Sequence, residues 1–272
     1  MTYTDLSHLS DDGWRESGSG LPPLVAVAHG SKDPRAAAAV GELLDLVADR
    51  AARRGLAGLD IRTAFLDHAA PSLPQVLGSV AAGHGQCAVV PLLLTAAFHS
   101  KRDIPGRVTK GRSGYPFLTV RVAGTLGPHA LLRGALERRL AAAYDGPRPV
   151  TSVVLAAAGS SDPEANATIA ALAARWQRTG GWRRVVPAFA SAASPSPAEA
   201  VARLRADGPV AVATYLLAPG FFADRIRAES LSAGAVAVSS ALGAAPEVAD
   251  IVLARYTAAV GAQPAAPLVA QA

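Results

Sequence analysis

The sequence predicts an α/β protein of two similar lobes, each a mostly parallel sheet with helices on both faces, related by internal duplication with an active-site cleft between them. Three observations lead there. From residue 24 onward, short apolar runs alternate with longer stretches of helical periodicity, as in a parallel sheet covered on both sides. The pattern then occurs a second time. AAAGSSDPEAN (156–166) echoes VAHGSKDPRAA (27–37), AFASAASPSPAEAV (188–201) echoes AFLDHAAPSLPQVL (64–77), VATYLLAPGFFADRI (212–226) echoes VVPLLLTAAFHSKRD (89–103), and ALGAAPEVADIV (241–252) echoes TLGPHALLRGAL (125–136). Four matches in the same order indicate a duplication. Finally, 272 residues of which 50% are hydrophobic can bury a substantial core, as one large domain or two modest ones.

The elements follow in order. Residues 1–22 are expected as a flexible leader, because the first twenty lack apolar periodicity and end Ser-Gly-Ser-Gly. The first strand is LVAVA (24–28), broken by His29-Gly30-Ser31, after which Asp33 and Pro34 read as the N-cap and first residue of a helix. Val40, Leu43, Leu44, Val47 and Ala51 keep helical spacing, Arg50, Arg53 and Arg54 suit the negative end of the helix dipole, and Gly55 stops the helix. Residues 59–66 alternate as a second strand. Ser72 caps a helix carrying Leu73, Val76, Leu77 and Val80, and residues 87–94 form a third, fully apolar strand. Residues 95–114 read as a polar, basic loop with room for one helical turn. Residues 117–123 give a fourth strand, and 131–144 a helix with Leu132, Leu136 and Leu140 on one face. The Pro- and Gly-bearing stretch 145–149 is the natural linker. The expected units are therefore an N-terminal lobe over 23–145, a C-terminal lobe over 150–260 as a degenerate repeat, and a flexible tail over 261–272.

Composition narrows the function. A net charge of +5 and a pI near 9.8 favour acidic partners. Charged residues are only 17%, with no dense basic run interleaved with aromatics, which points to an anionic small molecule and away from nucleic acid. The one cysteine, Cys87, opens an apolar run, so neither a disulfide framework nor a Cys-based zinc site can be built within the chain. It reads as buried and inert in a reducing cytoplasm. The acidic N-terminus lacks an export pattern, and the apolar run 88–98 is too short to span a bilayer, so a soluble, unexported protein is expected.

The chemistry concentrates in the first repeat. His29 sits where a buried strand gives way to a helix, and open α/β sheets bind ligands outside the carboxyl ends of their strands. His99 follows the third strand, and Asp67 and His68 end the second. The repeat acts as an internal control: His29 aligns with Ala158, His99 with Phe222, and all six histidines lie in the first half. A histidine required for packing would be expected in both copies. Two imidazoles facing one cleft can ligate a divalent metal or accept protons near neutral pH; the alternative is two unrelated surface histidines. Asp67 is read either as an orienting carboxylate or third ligand, or as a solvated loop residue. His68 is the weaker candidate, while His84 and His129 read as turn residues. Lys32, Arg35, Lys101, Arg102 and Arg107 surround the two histidine loops and would give the cleft mouth a positive field, which Arg225 extends from the second lobe.

AHGSKDPR (28–35), AFLDHAAPSLPQVL and VVPLLLTAAFHSKRDIP (89–105) resemble the sirohydrochlorin chelatase family, the class II chelatases that insert cobalt or ferrous iron into sirohydrochlorin. The resemblance runs from about residue 24 to 256 and fits the long, duplicated form of the family. It implies that His29 and His99 bind the incoming metal and help take protons from the pyrrole nitrogens, with Asp67 standing where the family often has glutamate. Ser31, Lys32, Arg35, Ser100, Lys101 and Arg102 are then expected to hold the carboxylate-rich tetrapyrrole. The metal, iron for siroheme or cobalt for cobalamin, is a substrate, and no organic cofactor is expected; iron is slightly favoured. Metal insertion releases two pyrrole protons, so neutral histidines beside a carboxylate suit the reaction, and activity is expected to fall as pH drops through about 6 to 7. The other readings are a metal or tetrapyrrole carrier using the same histidines, a phosphohistidine enzyme, which usually has Arg where Ala28 stands, and a serine hydrolase, for which Gly-x-Ser-x-Gly is missing. Because the duplication supplies both lobes in one chain, a monomer is expected, with no nucleic-acid or membrane partner.

Overall fold

The first strand, β1 (Leu24–Ala28), is buried along its whole length. Its alternate residues serve two cores: Leu24, Ala26 and Ala28 face one cluster, Val25 and Val27 another, as the two-residue period of a strand requires. This is a computed structural model, and it describes residues 20–95 and 103–261. The leader up to residue 19, the tail from 262, and His99, Ser100, Lys101 and Arg102 lie outside the described residues.

Around β1 the first repeat builds a parallel sheet of order β2-β1-β3-β4, with β2 (Ile61–Phe65), β3 (Gln86–Pro91) and β4 (Thr119–Val122). Leu24 pairs with Ile61 on one side and Ala88 on the other. The second repeat gives β5 (Ser152–Ala157), β6 (Arg184–Phe189), β7 (Val210–Tyr215) and β8 (Ala237–Val238), again all parallel, in the order β6-β5-β7-β8. The helices are α1 (Pro34–Arg53), α2 (Leu73–Ala81), α3 (Ile104–Arg112) and α4 (Ala130–Ala141) in the first repeat, then α5 (Pro163–Thr179), α6 (Pro197–Leu204), α7 (Phe221–Ser232) and α8 (Pro246–Val260). Both sheets thus carry helices on two faces, as the sequence predicts.

The region expected as a polar loop with one helical turn contains α3. Ile104, Val108 and Gly111 form its buried face, and a Cβ on Gly111 would lie 2.7 Å from Leu77 Cδ1, so the glycine sets the close approach to α2. The remaining residues are Pro, Gly, Thr, Lys and Arg, whose apolar periodicity is weak. Burial against α2 overrides that weak local preference.

The outer faces are separate: Val25 and Val27 pack with α2 and α3, Val154 and Ala156 with α6 and α7. The inner faces share one core with α1, α4, α5 and α8. Here the last helix of each repeat crosses over. α8 packs on α1, β3 and β4 of the first sheet, and α4 packs on β7 of the second. Arg50 makes a two-point pair with Asp250, 2.6 Å at each oxygen, and Arg138 pairs with Glu247 at 2.7 Å. Tyr256 donates to the Pro22 carbonyl at 2.7 Å. The two sheets are therefore held as one body. Among the described residues, no helix is long and apolar enough to cross a membrane.

Candidate active site

The strand order places a switch point between β1 and β3, since the chain leaves β1 toward β2 on one side and returns to β3 on the other. Ligand sites in parallel sheets lie outside the carboxyl ends at such a point. His29 follows β1 there, and the Leu92 amide donates to the Val27 carbonyl at 2.8 Å as β3 ends beside it.

The turn holding His29 is fixed by backbone. The Asp67 amide donates to the His29 carbonyl at 2.8 Å. Gly30 has φ +92°, and a Cβ there would meet the Asp67 carbonyl oxygen at 1.7 Å, so only glycine fits. Ser31 Oγ then accepts from the Asp33 amide at 3.0 Å, and Asp33 Oδ1 accepts from the Arg35 amide at 2.9 Å, capping α1 with Pro34 in its first turn. Each step orders the next, so the imidazole of His29 leaves from a defined backbone.

It leaves into a cavity of about 510 Å³ between the two lobes. The first lobe lines it with His29, Ser31, Lys32, Phe65 and His68, and the second with Leu216, Leu217, Pro219, Phe221 and Phe222 together with Ala158. One wall carries imidazoles, a hydroxyl and an ammonium; the other is apolar. Phe221 and Phe222 meet edge to face with centroids 5.4 Å apart, and Phe221 is 71% exposed. Exposed aromatics beside a cavity suit a flat apolar ligand. A neutral imidazole on the opposite wall can accept a proton or hold a metal through nitrogen.

Of the residues singled out from sequence, His29, Ser31 and Lys32 line this cavity. Arg35 stands beside it, with its guanidinium held by Asp33 at 2.5 Å and by Asp224 of the second lobe at 2.6 Å. The pairing holds the Asp33 carboxyl below its usual range, chiefly through the Arg35 side chain, and raises the Arg35 guanidinium above its own. Asp67 is half-exposed and accepts from Arg107 at 3.0 Å, so its carboxylate is turned to α3. Arg225 pairs with Glu229 along α7 at 2.8 Å. His99, Ser100, Lys101 and Arg102 fall between β3 and α3, outside the described residues. Among the described residues, no group of three or more His, Cys, Asp and Glu side chains is arranged to hold a metal ion.

Sequence reasoning ranked His68 low, yet it lines the cavity. Its backbone has φ 61°, and its counterpart Ala192 has φ 57°. The same turn therefore forms without a histidine, which is the signal that could have raised its rank. The aromatic character of the second lobe's wall was missed, because Phe221 and Phe222 resemble ordinary core residues when read along the chain. His129, expected as a turn residue, is the N-cap of α4, its Nδ1 accepting from the Leu131 amide at 3.2 Å.

A family model described as CbiX matches residues 23–143 and again 152–259. The chain is similar to the sirohydrochlorin ferrochelatase of Bacillus subtilis (strain 168), 30% identical over 182 residues, which cover 64% of this chain and 68% of that protein. It is also similar to the sirohydrochlorin cobaltochelatase of Priestia megaterium, 26% identical over 216 residues, covering 77% of this chain and 68% of that one. Among solved structures, SirB from Bacillus subtilis with Fe3+ superposes with a TM-score of 0.72 at 26% identity, covering 86% of this chain and 94% of that chain. The two-lobed architecture is thus shared with that protein.

Proposed function

The chain belongs to the CbiX family, the sirohydrochlorin chelatases its motifs resemble, and from that premise we propose that it inserts a divalent metal into sirohydrochlorin with release of two protons. One observation carries the proposal. A single cleft opposes the polar wall bearing His29 to the aromatic wall of Phe221 and Phe222. The macrocycle lies against the aromatic wall, so that its nitrogens face the imidazoles. His29 and His99 present the metal through their unprotonated nitrogens, and as it passes to the macrocycle each nitrogen so freed accepts one of the two pyrrole protons, which then pass to solvent. Lys32, Arg35, Ser31, Ser100, Lys101 and Arg102 engage the peripheral carboxylates, and Asp67 acts on the site from its contact with Arg107.

For the metal we take ferrous iron first and cobalt second, since imidazole ligands accept both. The enzyme works as a monomer, because both walls come from one chain, and in the reducing cytoplasm, in keeping with a buried free thiol at Cys87. Anaerobic absorbance of sirohydrochlorin with each metal, beside His29→Ala and His99→Ala, tests this. Catalytic, metal-dependent spectral change that both substitutions abolish is expected. Binding without turnover would overturn the enzyme in favour of a carrier.

A further inference from the structure

Among the described residues at the cleft mouth, Arg35 has a guanidinium shared between the lobes, with a carboxylate on each of two edges. Its Nε and one terminal nitrogen lie at 3.1 and 2.5 Å from Asp33, in its own lobe. The other edge faces Asp224 of α7, at 2.6 and 3.4 Å to the two carboxylate oxygens. The two carboxylates differ in role. Asp33 caps α1 and is 22% exposed, so it fixes the guanidinium; Asp224 is 57% exposed and comes from the opposite side of the cleft. α7 starts against the same motif, since a Cβ on Gly220 would lie 3.9 Å from Asp33 Oδ2. Phe221, Phe222 and Ala223, the residues before Asp224, line the cavity, as do Ala36 and Ala37, the residues after Arg35.

We propose that the outer edge of the Arg35 guanidinium is a carboxylate subsite at the cleft mouth that Asp224 occupies as an internal stand-in, to be displaced by a carboxylate of the incoming ligand. The proposal deepens the chelatase reading and rests on it. A guanidinium edge that binds one carboxylate at two points binds another in the same way. Exchange is inexpensive because exposed ion pairs are weak, so the contact can close the mouth without blocking it. In the internal repeat Arg35 aligns with Glu164, and Asp224 with Lys101, so both copies carry opposite charges at these positions with the signs exchanged, and only the first copy puts a guanidinium in the turn of helix that follows its first strand. Asp224 thereby lowers affinity for any ligand that presents no carboxylate at this point, and sets how tightly one that does is held.

The test is a double-substitution cycle, read as the dissociation constant of metal-free sirohydrochlorin by absorbance titration. Asp224→Ala is expected to tighten binding about two- to fivefold, the range a weak exposed pair allows. In the Asp224→Ala background, where nothing competes for the edge, Arg35→Ala is expected to weaken it about two- to fivefold, the same exposed pair now lost by the ligand. In the Arg35→Ala background the second substitution should change nothing, and the exchanged pair Arg35→Asp with Asp224→Arg should restore the bridge but not the affinity. Weaker binding by Asp224→Ala, or additive effects in the cycle, would overturn the subsite. If sirohydrochlorin binds but is never metallated, the chelatase reading fails and the cycle still decides the subsite. If it does not bind to the wild-type protein at all, both fall.

Discussion

The two lobes share a backbone and differ in what they attach to it. Gly30 and Gly159 have φ +92° and +87°, and an added Cβ would strike the Asp67 and Ser191 carbonyl oxygens at 1.7 and 1.9 Å. Ser31 and Ser160 each accept from the amide two residues on at 3.0 Å, and Asp33 and Asp162 each cap the following helix. Against that constancy, His29 aligns with Ala158, Asp67 with Ser191, His68 with Ala192 and His99 with Phe222. What both copies keep is what the strand–turn–helix junction needs. What only the first copy carries is available for chemistry, and of what the second carries in its place, Ala158 and Phe222 belong to the apolar wall.

The sharpest test of that division exchanges side chains at the paired turns. His29→Ala should lower metal insertion about a thousandfold, within the range for loss of a positioned base, whereas Ala158→His should leave turnover of the same order, both measured by anaerobic absorbance. Equal losses would mean that the lobes contribute alike. Next in size, Gly30→Ala and Gly159→Ala should each cost about 3 kcal/mol in urea unfolding, from a backbone clash at a φ that L-residues avoid. If Gly159→Ala were silent, the structural equivalence of the two turns would fail. A smaller effect belongs to the apolar wall: Phe222→Ala should weaken binding of metal-free tetrapyrrole about three- to tenfold by fluorescence titration, the worth of one aromatic contact.

The smallest effect separates the two crossing helices. α4 is capped by His129, α8 by Ala245, which offers no side-chain bond. Burial, and secondarily Arg255, hold the His129 pKa below its usual value. The unfolded chain therefore binds the proton more readily. The stabilising cap is complete above about pH 6.5 and is lost as pH falls through the lower folded value, since protonated Nδ1 cannot accept from the Leu131 amide. The melting temperature should drop by about 2–4 °C across that window, and His129→Ala should remove the dependence.

Much of this was legible along the chain. The duplication, the alternation of strands and helices, the caps at Asp33 and Ser72, and the asymmetry of the histidines all depend on residues a few positions apart or on self-comparison. α3 escaped because Ile104, Val108 and Gly111 show their value only against Leu77 of α2. His68 escaped because a strand end gives no direction to its side chains, and direction decided that it lines the cavity. The pairing of Arg35 with Asp224 joins residues 189 positions apart, and that of Arg50 with Asp250 joins residues 200 apart. The crossing of α4 and α8 between sheets is of the same kind.

By itself, then, the sequence determined the parts and the chemistry they carry: periodicity sets which face of an element is apolar, and caps and glycines act within one turn of chain. Only the tertiary structure decided which apolar faces meet, which lobe supplies each wall of the cleft, and which charges are engaged. Those outcomes follow from burying the inner faces of both sheets in one core, a cooperative packing problem that local preference leaves open.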